Sequence, residues 1–136
     1  MFANSMRKSI RPHLHDGEEL LAAVMAQTTG SNRAMMMSVL RETANPGVHR
    51  RMVVAVTSQR LLVFRQGGFF VAKAVEQLGE APIGAVEAID VESGKLSKWV
   101  TLRVGGRAVA VETARAQPAE YLASALEELR PQAQAA

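Results

Sequence analysis

The sequence predicts a β-rich α+β fold: a strongly bent antiparallel sheet or open barrel of about seven strands, closed by a C-terminal amphipathic helix. Three observations predict it. Arg51 to Arg65 holds two runs rich in Val and Leu around the short polar break Thr57-Ser58-Gln59-Arg60. Val53, Val54, Val56, Val63 and Phe64 pack well on a pleated surface and are seldom so concentrated in a helix. Trp99–Val104 and Arg107–Glu112 alternate in polarity around Gly105-Gly106, a two-residue hairpin signal. Finally, Gln117 to Arg130 places apolar residues at helical spacing.

In chain order, Phe2, Met6, Ile10 and Leu14 recur every fourth position, which suits a short helix that Pro12 interrupts. After His15-Asp16-Gly17, Glu19 to Gln27 reads as a first strand, although Leu20 to Ala23 also suit a helix. Residues 28–50 form a long first loop, with turn chemistry at Thr28 to Asn32 and at Asn45-Pro46-Gly47. Between these lies Arg33-Ala-Met-Met-Met-Ser-Val-Leu-Arg41, readable as a helix or as an extended segment. Gly67-Gly68 turns the chain after Arg65 and returns it through Phe69 to Val75. Pro82 and Gly84 punctuate an acidic stretch before a strand over 85–92.

The second hairpin has a specific register. A two-residue loop sets Leu102 opposite Val109 and Val100 opposite Val111 on one face. Thr101 opposite Ala110 and Arg103 opposite Ala108 occupy the other. One face is buried and the other partly polar, as a half-buried antiparallel sheet requires. In the closing helix, Pro118 suits the first turn and Glu120 the positive end of the dipole. Tyr121, Leu122, Ala125, Leu126 and Leu129 form the apolar stripe, with Glu120, Ser124, Glu127 and Glu128 opposite. Pro131 is expected to end the helix and leave 131–136 as a tail. The organisation read from these signals is a basic amphipathic extension over 1–13, one domain over 14–130, and that tail.

Composition narrows the functional classes. The 136 residues include no cysteine, which removes disulfides, thiol nucleophiles and thiolate metal sites. No apolar run approaches the ~20 residues needed to span a bilayer. Arg7, Lys8 and Arg11 lead into Pro12-His13 and acidic residues rather than the apolar core of a secretory signal, so a cytoplasmic location is expected. His13, His15, Asp16 and His49 give no closed ligand set, and no metal or cofactor is expected. Gly67-Gly68 and Gly105-Gly106 lack the following helix and Lys-Ser/Thr pair of a phosphate loop. No serine sits in a nucleophile elbow, and no catalytic residue is assigned. One Trp, one Tyr and scattered arginines make no stacking platform for nucleic acid.

The net charge of +3 is unevenly spread. Arg33, Arg41, Arg50, Arg51, Arg60, Arg65 and Lys73 face a single acid, Glu42, within 33–73. Residues 76–92 hold Glu76, Glu80, Glu87, Asp90 and Glu92 with no Lys or Arg. Segregation of this kind can orient a domain on an anionic surface or against a second subunit.

Two strings, His15-Asp-Gly-Glu-Glu-Leu and Val54-Ala-Val-Thr-Ser-Gln-Arg-Leu-Leu-Val-Phe, together with the element order, resemble the bacterial pleckstrin-homology-like (PH-like) domains. Thr57, Arg60 and Leu61 match that family's turn, and Ser58-Gln59 stand where Asp-Arg is usual. The resemblance implies a strongly curved sheet closed by a C-terminal helix, and a non-enzymatic binding module that meets proteins or anionic lipids. By position it implies an anionic-ligand role for Arg33, Arg41 and Arg50 in the first loop and for Arg51 after it.

Two binding roles follow. Protein contact, with self-assembly into a homo-oligomer, protects exposed strand edges and suits Met35, Met36 and Met37 as an adaptable seam. The other is peripheral attachment to the inner face of a membrane. There Phe2, Met6 and Ile10 dip into the interface, Arg7, Lys8 and Arg11 meet anionic headgroups, and Met35 to Met37 add a second insertion point.

Overall fold

The computed structural model describes residues 2–27, 41–42, 51–67 and 73–135. Helix α1 (Phe2–Ile10) runs into a single 3-10 turn at Arg11–His13, where Pro12 sits at the first positions and stops α-helical continuation. The strands are β1 (Leu20–Gln27), β2 (Arg41–Glu42), β3 (Arg51–Thr57), β4 (Arg60–Gly67), β5 (Lys73–Pro82), β6 (Val86–Ser93), β7 (Ser97–Val104) and β8 (Arg107–Ala114). Helix α2 (Glu120–Ala135) closes the described chain.

All described strands join one antiparallel sheet in the order β2-β5-β4-β3-β1-β8-β7-β6. Seven are full-length and β2 has two residues. The sheet is curled but not closed: among the described strands β6 pairs only with β7, and β1 meets β8 at the single pair Gln27 and Glu112. At that corner the sheet divides into two layers, β5-β4-β3-β1 and β8-β7-β6. The main core lies between them, where Val24, Val54, Leu61, Val63, Val100, Leu102 and Val111 meet Leu122, Leu126 and Leu129 of α2.

A second core lies on the outer face of the first layer. Met6 and Ile10 of α1 cover Val53, Ala55, Leu62, Phe64 and Ala74, and the His13 ring stands edge-on to Phe64 at 5.1 Å. Ser9 fastens the helix to the edge of β5 by accepting the Ala74 N–H at 2.8 Å. With both faces covered, β3 is buried from Met52 to Thr57 and β4 from Arg60 to Phe64. This is why Met52 to Phe64 reads as nearly unbroken apolar runs instead of alternating.

The second hairpin has the register expected from sequence: Leu102 opposite Val109, Val100 opposite Val111, Thr101 opposite Ala110 and Arg103 opposite Ala108. Gly105 and Gly106 take φ of 59° and 81°, the doubly positive turn that matches strand twist. Residues 20–23 are strand, not helix, because Ala22 and Val24 face the main core while Ala23 faces the second.

Four expectations change. The return strand after Gly67 extends to Pro82, so Glu76 and Glu80 of the acidic stretch belong to β5. Arg41 and Glu42, placed in the first loop from sequence, pair with β5 opposite Glu80 and Gly79. Tyr121 is 65% exposed, because it lies about 100° around the helix from Leu122 and clears the sheet. Lastly, α2 continues through Pro131 to Ala135. Proline's fixed φ is itself helical, and its cost there is a backbone hydrogen bond and local crowding.

Candidate functional site

The Ser58-Gln59 turn is held by a buried polar cluster. Glu18 enters just before β1, where Gly17 supplies a positive φ of 79°, and its side chain is fully buried. Arg60 donates to it twice, from Nε at 2.9 Å and Nη2 at 2.7 Å. The Thr57 hydroxyl donates at 2.5 Å, and the His15 N–H at 2.9 Å. Arg60 also bridges to Glu80 on β5 at 2.5 Å and to the His13 carbonyl at 3.2 Å. Thr57 Oγ1 in turn accepts the N–H groups of Gln59 and Arg60, closing the turn. The cluster thus ties the start of β1, the β3–β4 turn and β5 together.

Burial pushes the Glu18 carboxyl up, but the hydrogen bonds from Arg60, Thr57 and His15 outweigh it and hold it at about 2. The Arg60 guanidinium is raised by the same pairing, against the opposing effect of burial. A depressed carboxylate contributes stability above its unfolded pKa and loses it as pH falls. We therefore expect denaturant-measured stability to drop by about 3 kcal/mol between roughly pH 5 and pH 2, with Glu18→Gln flattening that limb. A parallel acid limb in the variant would exclude Glu18 as its source.

The outer faces of the two layers differ. On the first, α1 turns Met6 and Ile10 inward, leaving Arg7, Lys8 and Arg11 exposed and without an ion pair among the described residues. Lys73, beside Ala74, is exposed on the neighbouring edge. On the second, β6, β7 and β8 present Asp90, Glu92, Trp99, Thr101, Arg103, Ala110 and Glu112 outward, alternating with the inward core residues. No described helix covers that face, and Trp99 is 38% exposed at its centre. Arg103 pairs with Asp90 at 3.3 Å, which leaves the face net acidic.

At the β1–β8 corner lies a groove of about 400 Å³ lined in part by Met25, Arg51, Leu96, Glu112 and Thr113. Gln27 stands opposite both Arg51 and Glu112 in register, so these three side chains share one rung. Glu112 accepts from Ser97 Oγ at 2.7 Å and Gln27 Nε2 at 2.9 Å, and these bonds lower its pKa. Gln117 braces the corner by accepting the Met25 N–H at 2.9 Å.

Of the residues expected from sequence, Arg7, Lys8 and Arg11 come together on one exposed surface. Met6 is 5% exposed and is not available for membrane insertion, because it fills the second core. Phe2 lies in α1 and Arg41 in β2, with side chains outside the described set. Arg51 opens β3, exposed on the groove. Arg33, Arg50, Met35, Met36 and Met37 lie outside the described residues. The basic and acidic segments meet within the chain: Arg60 pairs with Glu80, and Arg65 with Glu76 at 3.7 Å. Sequence reading missed the Glu18–Arg60 pair. Its signal is a carboxylate and a guanidinium each set beside an apolar strand end. Among the described residues no three His, Asp or Glu side chains converge as metal ligands, and no helix is long and apolar enough to cross a membrane.

Comparison with known proteins gives the fold. No family profile matches the chain, and no curated protein matches it. The crystal structure of a pleckstrin homology domain from Shewanella amazonensis superposes with a TM-score of 0.51 at 20% identity, covering 90% of this chain and 92% of that one. A DUF1696 family protein with a pleckstrin-homology domain from Shewanella loihica gives a TM-score of 0.48 at 12% identity, over 90% of each chain.

Proposed function

We propose that this chain, which has the pleckstrin-homology fold of a bacterial domain, is a non-enzymatic cytoplasmic binding module that works through protein contacts and assembles with itself. One observation carries the reading: the unlike outer faces of its two layers. The α1 face offers Arg7, Lys8 and Arg11; the β6–β8 face offers Asp90, Glu92 and an exposed Trp99 with no covering helix. Opposite charges draw the two faces together, and a cation seated over the indole adds a directional attraction. Because the faces differ, the contact is head-to-tail and closes as a ring or extends as a filament.

Light scattering after size exclusion, across concentration and salt, tests this. We expect a concentration-dependent oligomer that weakens as salt rises. Reversing Arg7, Lys8 and Arg11 to Glu together should give a folded monomer, and Trp99→Ala should weaken assembly by about tenfold. A wild-type monomer at all concentrations in low salt defeats the reading.

The same three cations favour a second reading, attachment to an anionic membrane, at roughly 1 kcal/mol for each side chain near the surface. With Met6 buried, such attachment is electrostatic. Vesicles with anionic headgroups should bind the wild type in low salt and release it in high salt, whereas the charge-reversed variant should stay free.

A further inference from the structure

We propose, resting on the assembly reading, that the acidic face seats an α1 arginine of a second copy over Trp99, between Glu92 and Glu112, and that copies so joined stack in an open line. Glu92, Trp99 and Glu112 stand opposite one another on three neighbouring strands. They point outward, because the next rung, Val91, Val100 and Val111, packs on the main core. With strands about 5 Å apart, an acidic residue flanks the indole on either side. The rung has no cation of its own among the described residues. Glu92 makes no ion pair there. Glu112 accepts from Ser97 Oγ at 2.7 Å and Gln27 Nε2 at 2.9 Å, neutral donors that fix its position and leave its charge uncompensated. Nearby cations are engaged elsewhere: Lys98 with Glu120 at 2.8 Å, Arg103 with Asp90 at 3.3 Å, and Arg115 with the Lys95 carbonyl at 3.0 Å. Arg51 lies two strands beyond Glu112, with Gln27 between.

A second copy carries the group this rung lacks. Arg7 and Arg11 are exposed one helical turn apart and make no ion pair among the described residues. A guanidinium is flat enough to stack on the indole while its N–H groups reach carboxylates at both edges, which an ammonium cannot do. The placement of the two faces then decides the form of the assembly. Helix α1 lies on the outer side of β5-β4-β3-β1, and the rung lies on the outer side of β8-β7-β6, with the main core between the layers. The contact faces therefore look in opposite directions. A small ring needs its two faces inclined toward each other, whereas opposed faces carry each copy onward along one line. Sheet packing with one intervening layer of helix sets a repeat of about 30 Å.

The test is sedimentation velocity of the full chain in low salt, with variants that each lose one face. Arg7→Glu with Lys8→Glu and Arg11→Glu keeps the rung, whereas Glu92→Lys with Trp99→Ala keeps α1. All five side chains are exposed, so both variants should melt close to the wild type by circular dichroism. Each alone should be monomeric, and an equal mixture should give a one-to-one dimer and nothing larger. The wild type should show a mean mass that rises continuously with concentration, and a small admixture of either variant should shorten its assemblies. Arg7→Lys with Arg11→Lys keeps the charge and loses the planar fork, and should weaken association by about tenfold. A wild-type monomer defeats the assembly reading and this inference together. One fixed mass at every concentration means a ring, which overturns the open line and leaves assembly standing. Variants that stay monomeric when mixed, while the wild type assembles, overturn the pairing of these faces. A lysine variant that assembles as tightly as the wild type overturns the arginine seat.

Discussion

Arg60→Ala will cost about 3–5 kcal/mol of unfolding free energy, the penalty for removing one partner from a buried ion pair. The truncation leaves Glu18, fully buried, with only Thr57 and the His15 N–H to replace water, and leaves Glu80 without its cation. It also removes the ties from β4 to the segment before β1 and to β5. Urea denaturation at neutral pH measures the loss. A double variant, Glu18→Leu with Arg60→Met, should recover much of it, since removing both charges also removes their desolvation. An Arg60→Ala protein within about 1 kcal/mol of wild type would show that the pair carries no more weight than an exposed one.

Leu102→Asp will prevent stable folding. Leu102 is fully buried in β7, opposite Ile89 of β6 and Val109 of β8, within the main core. The substitution forfeits the packing of a leucine, about 2–5 kcal/mol by comparison with truncation to alanine. It also buries a carboxylate with no cation beside it, which adds a further desolvation cost. Together these reach the total stability of an ordinary domain, about 5–15 kcal/mol. Thr101→Asp, one residue away on the outer face, is the matching control and should fold. Circular dichroism melts of the two variants distinguish them: a cooperative Leu102→Asp transition near the wild-type temperature would contradict the observed register.

Local chemistry determined most of the architecture. The two-glycine hairpin, the strand pair around Ser58-Gln59, and the interruption of α1 at Pro12 each follow from backbone preferences and short-range polarity, so they are legible in a window of about ten residues. The stripe Leu122, Ala125, Leu126 and Leu129 is legible for the same reason. The resemblance to PH-like domains rested on His15–Leu20 and Val54–Phe64, and those strings meet physically through Glu18, Thr57 and Arg60.

What only the tertiary structure decided is which residues share a face and which cover it. Amphipathicity alone suited Met6 to a membrane interface. Its burial follows from the apolar outer side of β3 and β4, which α1 covers. The separation of Glu18 from Arg60 by 42 positions hid a buried ion pair that the pairing of β1 with β3 and of β3 with β4 brings within 2.7 Å. The rung of Arg51, Gln27 and Glu112 likewise exists only where β1 crosses to β8. Burial and long-range pairing are properties of the whole chain, because desolvation of each group is set by neighbours far away in sequence.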